Sequence, residues 1–223
     1  FQWTASKFSS NPSLTVDIAL GDLDGNGFID VVKAEDSLAY RYYLNRGDGT
    51  FAPGTAFFDG TQSPACVALA DLDGDGLLDI VAGQVHVPNC VYLNQGCMHP
   101  FIGARCGALD ASSQGATSMI AGDFNGDTLP DIIAGIMNER IRLYLGNGQG
   151  GFSEGIPLTH EKQATTSVAA GDINKDGHLD FVAGTMKQEN RYYFNNGDGT
   201  FTVHRLGSDT FATTSVKLGD VNG

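Results

Sequence analysis

Long hydrophobic runs are missing from this sequence. No stretch of the 223 residues approaches the roughly 20 apolar positions that a membrane-spanning helix needs. Basic residues are scarce: 13 Lys and Arg stand against 26 Asp and Glu, a formal net charge of −13. Such a chain repels the phosphates of nucleic acid, so no nucleic-acid partner is expected. Histidine is sparse and dispersed (His86, His99, His160, His178, His204), without metal or triad spacing. No stretch shows a convincing helical period of 3.6. The opening FQWTASKFSS lacks the basic region and apolar core of a secretory signal. That absence weighs little, because the chain reads as trimmed at both ends.

Cysteine is limited to Cys66, Cys90, Cys97 and Cys106, with no CxxC pair, so zinc or thioredoxin chemistry is not expected. An even, local set fits two disulfides in an oxidising compartment. Cys97 and Cys106 flank an expected hairpin loop and are read as one bridge. Cys66 with Cys90 then follows by elimination, and buried free thiols are the other reading.

Glycine, by contrast, is abundant, and its 30 copies recur at fixed places. Alignment on the acidic segments gives GDLDGNGFIDVV, ADLDGDGLLDIV, GDFNGDTLPDII and GDINKDGHLDFV. Their leading aspartates are Asp22, Asp71, Asp123 and Asp172, at spacings of 49, 52 and 49, and a fifth copy opens at Asp220. A second marker keeps the same beat: YLNRGDGTF, YLNQGCMHPF, YLGNGQGGF and YFNNGDGTF end at Phe51, Phe101, Phe152 and Phe201. Phe1 fits as the end of a preceding copy. The repeats are therefore placed at about 2–51, 52–101, 102–152 and 153–201, with the start of a fifth at 202–223.

Each period reads as short β-branched and aromatic runs bounded by Gly, Asn and Asp. In the first repeat these are TVDIALG (15–21), IDVVKA (29–34), YRYYLN (40–45) and a strand around TFAPGTAFF (50–58). Four antiparallel strands per period of about 50 residues describe one blade of a β-propeller. The expected fold class is all-β: one propeller segment over residues 1–223, about four blades, part of a larger ring. Segments such as VALA, MIAG and SVAAG are small and apolar, as suits inner strands squeezed between blades. Tyr42, Tyr43, Phe51, Tyr144, Phe152, Tyr193 and Phe201 are expected to fill the wider gaps between blades.

Every acidic segment follows D-x-[DN]-x-[DN]-x-x-x-D. Oxygen ligands come from positions 1, 3, 5 and 9, with a backbone carbonyl at position 7. The first set is Asp22, Asp24, Asn26, Asp30 and the carbonyl of Phe28. The second is Asp71, Asp73, Asp75, Asp79 and Leu77. The third is Asp123, Asn125, Asp127, Asp131 and Leu129, and the fourth Asp172, Asn174, Asp176, Asp180 and His178. Carboxylates crowded into nine residues repel unless a cation sits among them. An all-oxygen set on alternate residues of a curled loop suits calcium, whereas magnesium demands stricter geometry and zinc or copper softer ligands. About four Ca²⁺ ions are expected, one per complete loop. Asp, Asn and Gly also favour turns without any metal. The third loop is the least regular, because Thr128 replaces a turn glycine and Pro130 precedes the last ligand. An EF-hand is excluded, since position 12 holds Lys33, Ala82, Ala134 and Ala183 in place of glutamate.

The pairing of GDLDGNGFIDVV with YLNRGDGTF at a period near 50 resembles the FG-GAP/VCBS repeats, also found in the propeller of integrin α subunits. The resemblance covers essentially the whole chain. It implies blades assembled into a ring, commonly of seven, with one calcium in a hairpin loop of each blade and the residues above as ligands. NQGCMHPF in the second repeat and GNGQGG in the third depart from the outer-hairpin pattern.

Arg46-Gly47-Asp48 spells an adhesion tripeptide, but Asn196-Gly197-Asp198 fills the same slot in the fourth repeat, so Gly-Asp belongs to the hairpin. GNGQGG sits in a strand-to-strand turn and is not a dinucleotide loop. Asn11-Pro12-Ser13 fails as a glycosylation sequon because of its proline. The reading is an extracellular, non-catalytic binding, adhesion or assembly module with a protein or glycan ligand, and no catalytic residue is assigned. Further blades of the same chain or an assembly partner would close the ring. The alternative is the propeller of a carbohydrate-active enzyme, such as a polysaccharide lyase or sugar dehydratase.

Overall fold

The computed structural model describes residues 14–35, 39–57, 63–96, 99–109 and 115–220. Phe1, Asn11, Phe58, Cys97 and the last three residues of the fifth acidic segment lie outside the described residues. Among the described residues every regular element is a strand.

Blade 1 contains β1 (Thr15–Gly21), β2 (Asp30–Glu35), β3 (Tyr40–Tyr43) and β4 (Thr55–Phe57), hydrogen-bonded in that order. Blade 2 contains β5 (Pro64–Ala70), β6 (Asp79–Gln84), β7 (Cys90–Tyr92) and β8 (Gly107–Ala108). Blade 3 is built from β9 (Ser118–Gly122), β10 (Asp131–Gly135), β12 (Arg142–Tyr144) and β13 (Ile156–Pro157). Blade 4 has β14 (Gln163–Gly171), β15 (Asp180–Thr185), β16 (Arg191–Asn195) and β17 (Phe201–Arg205). Its sheet gains a fifth strand, β11 (Met137–Glu139), lent by blade 3 to the far edge of β14. All pairings are antiparallel. The outermost strands of blades 1–3 are shorter than the sequence suggests: Pro53 and Gly54 interrupt the first, leaving Thr55–Phe57.

One register recurs at every inner hairpin. Gly21 pairs with Asp30, Ala70 with Asp79, Gly122 with Asp131 and Gly171 with Asp180. Each acidic segment is thus a hairpin loop whose last aspartate opens the second strand.

The inner strands β1, β5, β9 and β14 lie side by side. Apolar clusters fill the three gaps: Tyr40, Tyr42 and Phe57 with Tyr92 and Phe101; Val81 and Val91 with Ile132 and Tyr144; Phe124 and Leu143 with Phe181 and Tyr193. Tyr42, Tyr43, Tyr144 and Tyr193 are buried as expected, whereas Phe51, Phe152 and Phe201 are only partly so. Close approach explains the small inner residues. A Cβ on Gly83 would lie 2.2 Å from the Cys66 sulfur.

The cysteine pairing differs from the expected one. Cys90 is bonded to Cys106, with Cα atoms 5.0 Å apart, and Cys66 is a buried free thiol. The bridge follows from strand pairing: Cys90 opposes Ala108 in the β7–β8 ladder, which brings Cys106 beside it. Cys66 faces blade 3, its thiol 3.5 Å from the carbonyl of Ala116. Burial pushes that thiol far above its usual range, so it is inert.

Candidate metal centres

The backbone amides of each loop curl it before any ion is considered. In the first loop Asp22 accepts from the amides of Asn26 (3.1 Å) and Gly27 (2.7 Å), and Asn26 Oδ1 accepts from Phe28 N (2.8 Å). The same Asx turns recur. Asp71 accepts from Gly74 and Gly76, Asp123 from Gly126 and Thr128, and Asp172 from Asp176 and Gly177. Asp75, Asp127 and Asp176 cap the amides of Leu77, Leu129 and His178. This folds the position-7 residues, including Phe28, back along the loop.

The ninth-position aspartates are buried and brace each loop to the third strand. Asp30 accepts from Leu23 N (2.8 Å) and Asn45 N (2.7 Å), and Asp79 from Leu72 N (2.7 Å) and Asn94 N (2.7 Å). Asp131 takes Phe124 N (3.0 Å) and Gly146 N (2.9 Å), and Asp180 takes Ile173 N and Asn195 N (both 2.8 Å).

Carboxylate oxygens of Asp22, Asp24 and Asp30 lie within 4.8 Å of one another, as do those of Asp71, Asp73 and Asp79. In the third and fourth loops asparagine takes position 3. Asn125 Nδ2 donates to Asp127 and Asn174 Nδ2 to Asp176, both at 2.8 Å. Burial, opposed by backbone amides and reinforced by neighbouring aspartates, raises the carboxyls of Asp30 and Asp131, and pushes Asp79 up to about 6. Buried carboxylates facing further carboxylates are a poor place for negative charge alone and a good one for a hard cation. In the first two loops the donor set fits calcium: oxygen throughout, with the carboxylates of positions 1, 3 and 9 brought together.

Two sets of residues were not recognisable as functional in the sequence. In blades 2 and 4 the asparagine closing YLN or YFN sends its side chain into the neighbouring blade. Asn94 Nδ2 donates to Leu23 O (2.8 Å) and Leu78 O (3.0 Å), and Asn195 Nδ2 to Phe124 O (2.8 Å) and Leu179 O (3.0 Å). Blade 3 has Gly146 there, where a Cβ would meet Pro130 O at 2.2 Å. The amide of Gly150 reaches Leu72 O (3.0 Å) instead. One inner-strand residue in each of blades 1, 3 and 4 bonds the following inner segment: Asp17 accepts from Val67 N (2.9 Å), Ser118 from Val168 N (3.1 Å) and Ser167 from Val216 N (3.1 Å). Their signal was a constant offset, five residues before each leading aspartate, in residues of differing type.

The adhesion tripeptide is committed to its hairpin. Asp48 Oδ1 accepts from Thr50 N (2.9 Å) and Thr50 Oγ1 (2.6 Å), bonds that lower the carboxyl's pKa and recur at Asp198 and Thr200.

Comparison with known proteins places these repeats. Solved structures resemble this chain at low identity, and two of the following three share its fold. The Dos1 propeller is 13% identical with a TM-score of 0.58, over 89% of this chain and 49% of that one. BBS1N, solved in complex with ARL6DN, is 14% identical with a TM-score of 0.53, over 86% of this chain and 55% of that one. The V. cholerae biofilm matrix protein Bap1 is 20% identical with a TM-score of 0.47, over 83% of this chain and 27% of that one. The chain therefore spans between about a quarter and about a half of these structures' lengths. No curated protein matches it. The FG-GAP-like repeat profile matches residues 22–82, 123–183 and 175–223, and with the acidic hairpins in register across four propeller blades, the chain belongs to the FG-GAP-like repeat family.

Proposed function

We propose that this chain is part of a calcium-stabilised extracellular propeller that acts as a non-catalytic binding, adhesion or assembly module. The observation that carries the calcium reading is the convergence of three carboxylates within 4.8 Å in each of the first two loops. Asp22, Asp24, Asn26 and Asp30, with the carbonyl of Phe28, would hold the first ion, and the equivalent residues the other three. A bound divalent cation supplies charge neutralisation. Four ions change the formal charge from −13 by +8 to −5. The chain's own residues do the rest: the first and ninth aspartates fasten each hairpin, and the ninth ties it to the third strand. The Cys90–Cys106 bridge supports an oxidising compartment.

The outer face of β1 supports an assembled ring. Ile18 is 52% exposed, whereas Val67 and Val168, at the same place in blades 2 and 4, are 6% and 4% exposed against the preceding blade. A further blade of the same kind, from this chain or a partner, would cover it. The ligand of the module is taken to be a protein or a glycan.

Titration calorimetry with calcium, and with magnesium as control, tests the metal reading. Four sites are expected, with dissociation constants of roughly 10⁻⁴–10⁻³ M as in other extracellular calcium modules. The melting temperature should rise with calcium and fall with EDTA. A melting curve indifferent to both would end this reading.

A further inference from the structure

Blade 4 departs from blades 1 and 3 at its outer edge, at the end remote from the acidic loops. In blades 1 and 3 the arginine of the third strand is satisfied within its own sheet. Arg41 donates to Gly54 O (3.3 Å) and Glu35 (3.0 Å), and Arg142 to Gly155 O (2.9 Å). Their cross-strand partners are Ala56 and Pro157, five residues beyond Phe51 and Phe152. In blade 4 the corresponding strand runs unbroken, and the partner comes only four residues beyond Phe201. Arg205 therefore lands directly opposite Arg191.

Two guanidinium groups on one face of a cross-strand pair repel each other unless an anion lies near. The anions present hold them unequally. Glu161, 77% exposed, stands 3.5 Å from Arg191, whereas Glu189, 22% exposed, meets Arg205 through two contacts of 3.1 Å. Exposed pairs like that of Glu161 contribute about 0–1 kcal/mol, so an incoming anion can displace Glu161 easily. Beside the arginines runs a groove of about 360 Å³, between residues 158–161 of the crossover from blade 3 and the two outer strands of blade 4. Leu158 and Val203 give it an apolar wall, beside Thr159 and His160. That volume suits a small ligand.

Paired guanidinium groups recognise carboxylate or sulfate through parallel hydrogen bonds, and an aliphatic wall suits the apolar face of a sugar ring. We propose that this groove binds an anionic saccharide, its acidic group held by Arg191 and Arg205 in the place that Glu161 now occupies. The proposal rests on the reading of the chain as a binding module and gives that module a site and a ligand class.

The test is calorimetry on the calcium-loaded chain with trigalacturonate, with galactose 6-sulfate, and with neutral galactotriose. One or both acidic sugars should bind, and the neutral trisaccharide at least about tenfold more weakly. Arg191→Gln and Arg205→Gln should each lower affinity about tenfold, and Glu161→Gln, an exposed change with no cost to folding, should raise it. Binding of trigalacturonate alone marks a carboxylate site, and of the sulfated sugar alone a sulfate site. The proposal falls if neither binds, or if binding survives Arg191→Gln and ignores Glu161→Gln. An acidic sugar held equally well by the Arg191→Gln variant would sit elsewhere, for example at the calcium loops. That result would leave the module reading standing while removing this groove from it.

Discussion

Thr128 holds a left-handed backbone, φ +71°, at the place where the other loops have Gly27, Gly76 and Gly177. A β-branched side chain there costs about 1–2 kcal/mol, yet its amide makes the same bond to the leading aspartate that Gly27 makes. The conformation is imposed by the loop. Thr128→Gly should therefore stabilise the calcium-loaded protein by about 1 kcal/mol, after the greater freedom of glycine in the unfolded chain is subtracted. Thermal melting of the variant checks this, and an unchanged or lower midpoint counts against it. Lys175, φ +62°, bears a similar constraint where other loops have Gly25, Gly74 and Gly126. At this scale the sequence was informative wherever a side-chain type is chemically obligatory. Aspartates at fixed spacing announce their loop because no other residue supplies the charge. Asn94 and Asn195 did not announce theirs, because an asparagine before glycine reads equally well as a turn residue. Arg205 was silent too, since a register shift of one residue leaves no mark in composition.

Single strands were legible where they run long. β1, seven residues, lies at the positions its β-branched run gives, although most of its side chains are exposed. β8 and β13 have two residues each, all exposed, and β11 joins a sheet other than that of its chain neighbours. Such short edge strands bury little, so their side chains barely mark them. The same limit misdirected the disulfide. Without β8, nothing in the spacing of Cys90 and Cys106 says that they are neighbours. Pairs of blades, in turn, are held by few polar links in an apolar gap, so each link matters. Asn94→Ala removes two buried hydrogen bonds and leaves Leu23 O without its cross-blade donor, a loss of about 2–3 kcal/mol. Urea unfolding of the calcium-loaded chain measures it. A midpoint shift equivalent to under about 0.5 kcal/mol would show that the link is replaced by water.

Across the whole molecule, the buried loop carboxylates make stability depend on pH and on calcium together. Asp30, Asp79 and Asp131 have their carboxyls raised above the ordinary 3.8, Asp79 to about 6. With a raised constant the folded chain binds protons more tightly than the unfolded one. Their contribution is fully present below about pH 3.8 and is lost as pH rises through the folded value. Calcium-free protein should thus melt at a lower temperature at pH 7 than near pH 4.5. Saturating calcium should remove or reverse that slope, because ion binding favours the ionised form. Scanning calorimetry across this window decides the matter, and parallel pH profiles with and without calcium would contradict it.

At the acidic-loop end the cross-blade bonds have a direction. Asn94, Gly150 and Asn195 each reach backward, gripping the carbonyl just past the leading aspartate of the hairpin before them. The sheets overlap there like roof tiles, each later tile latched to the loop beneath it, so whatever orders one loop also firms the anchor of the next tile.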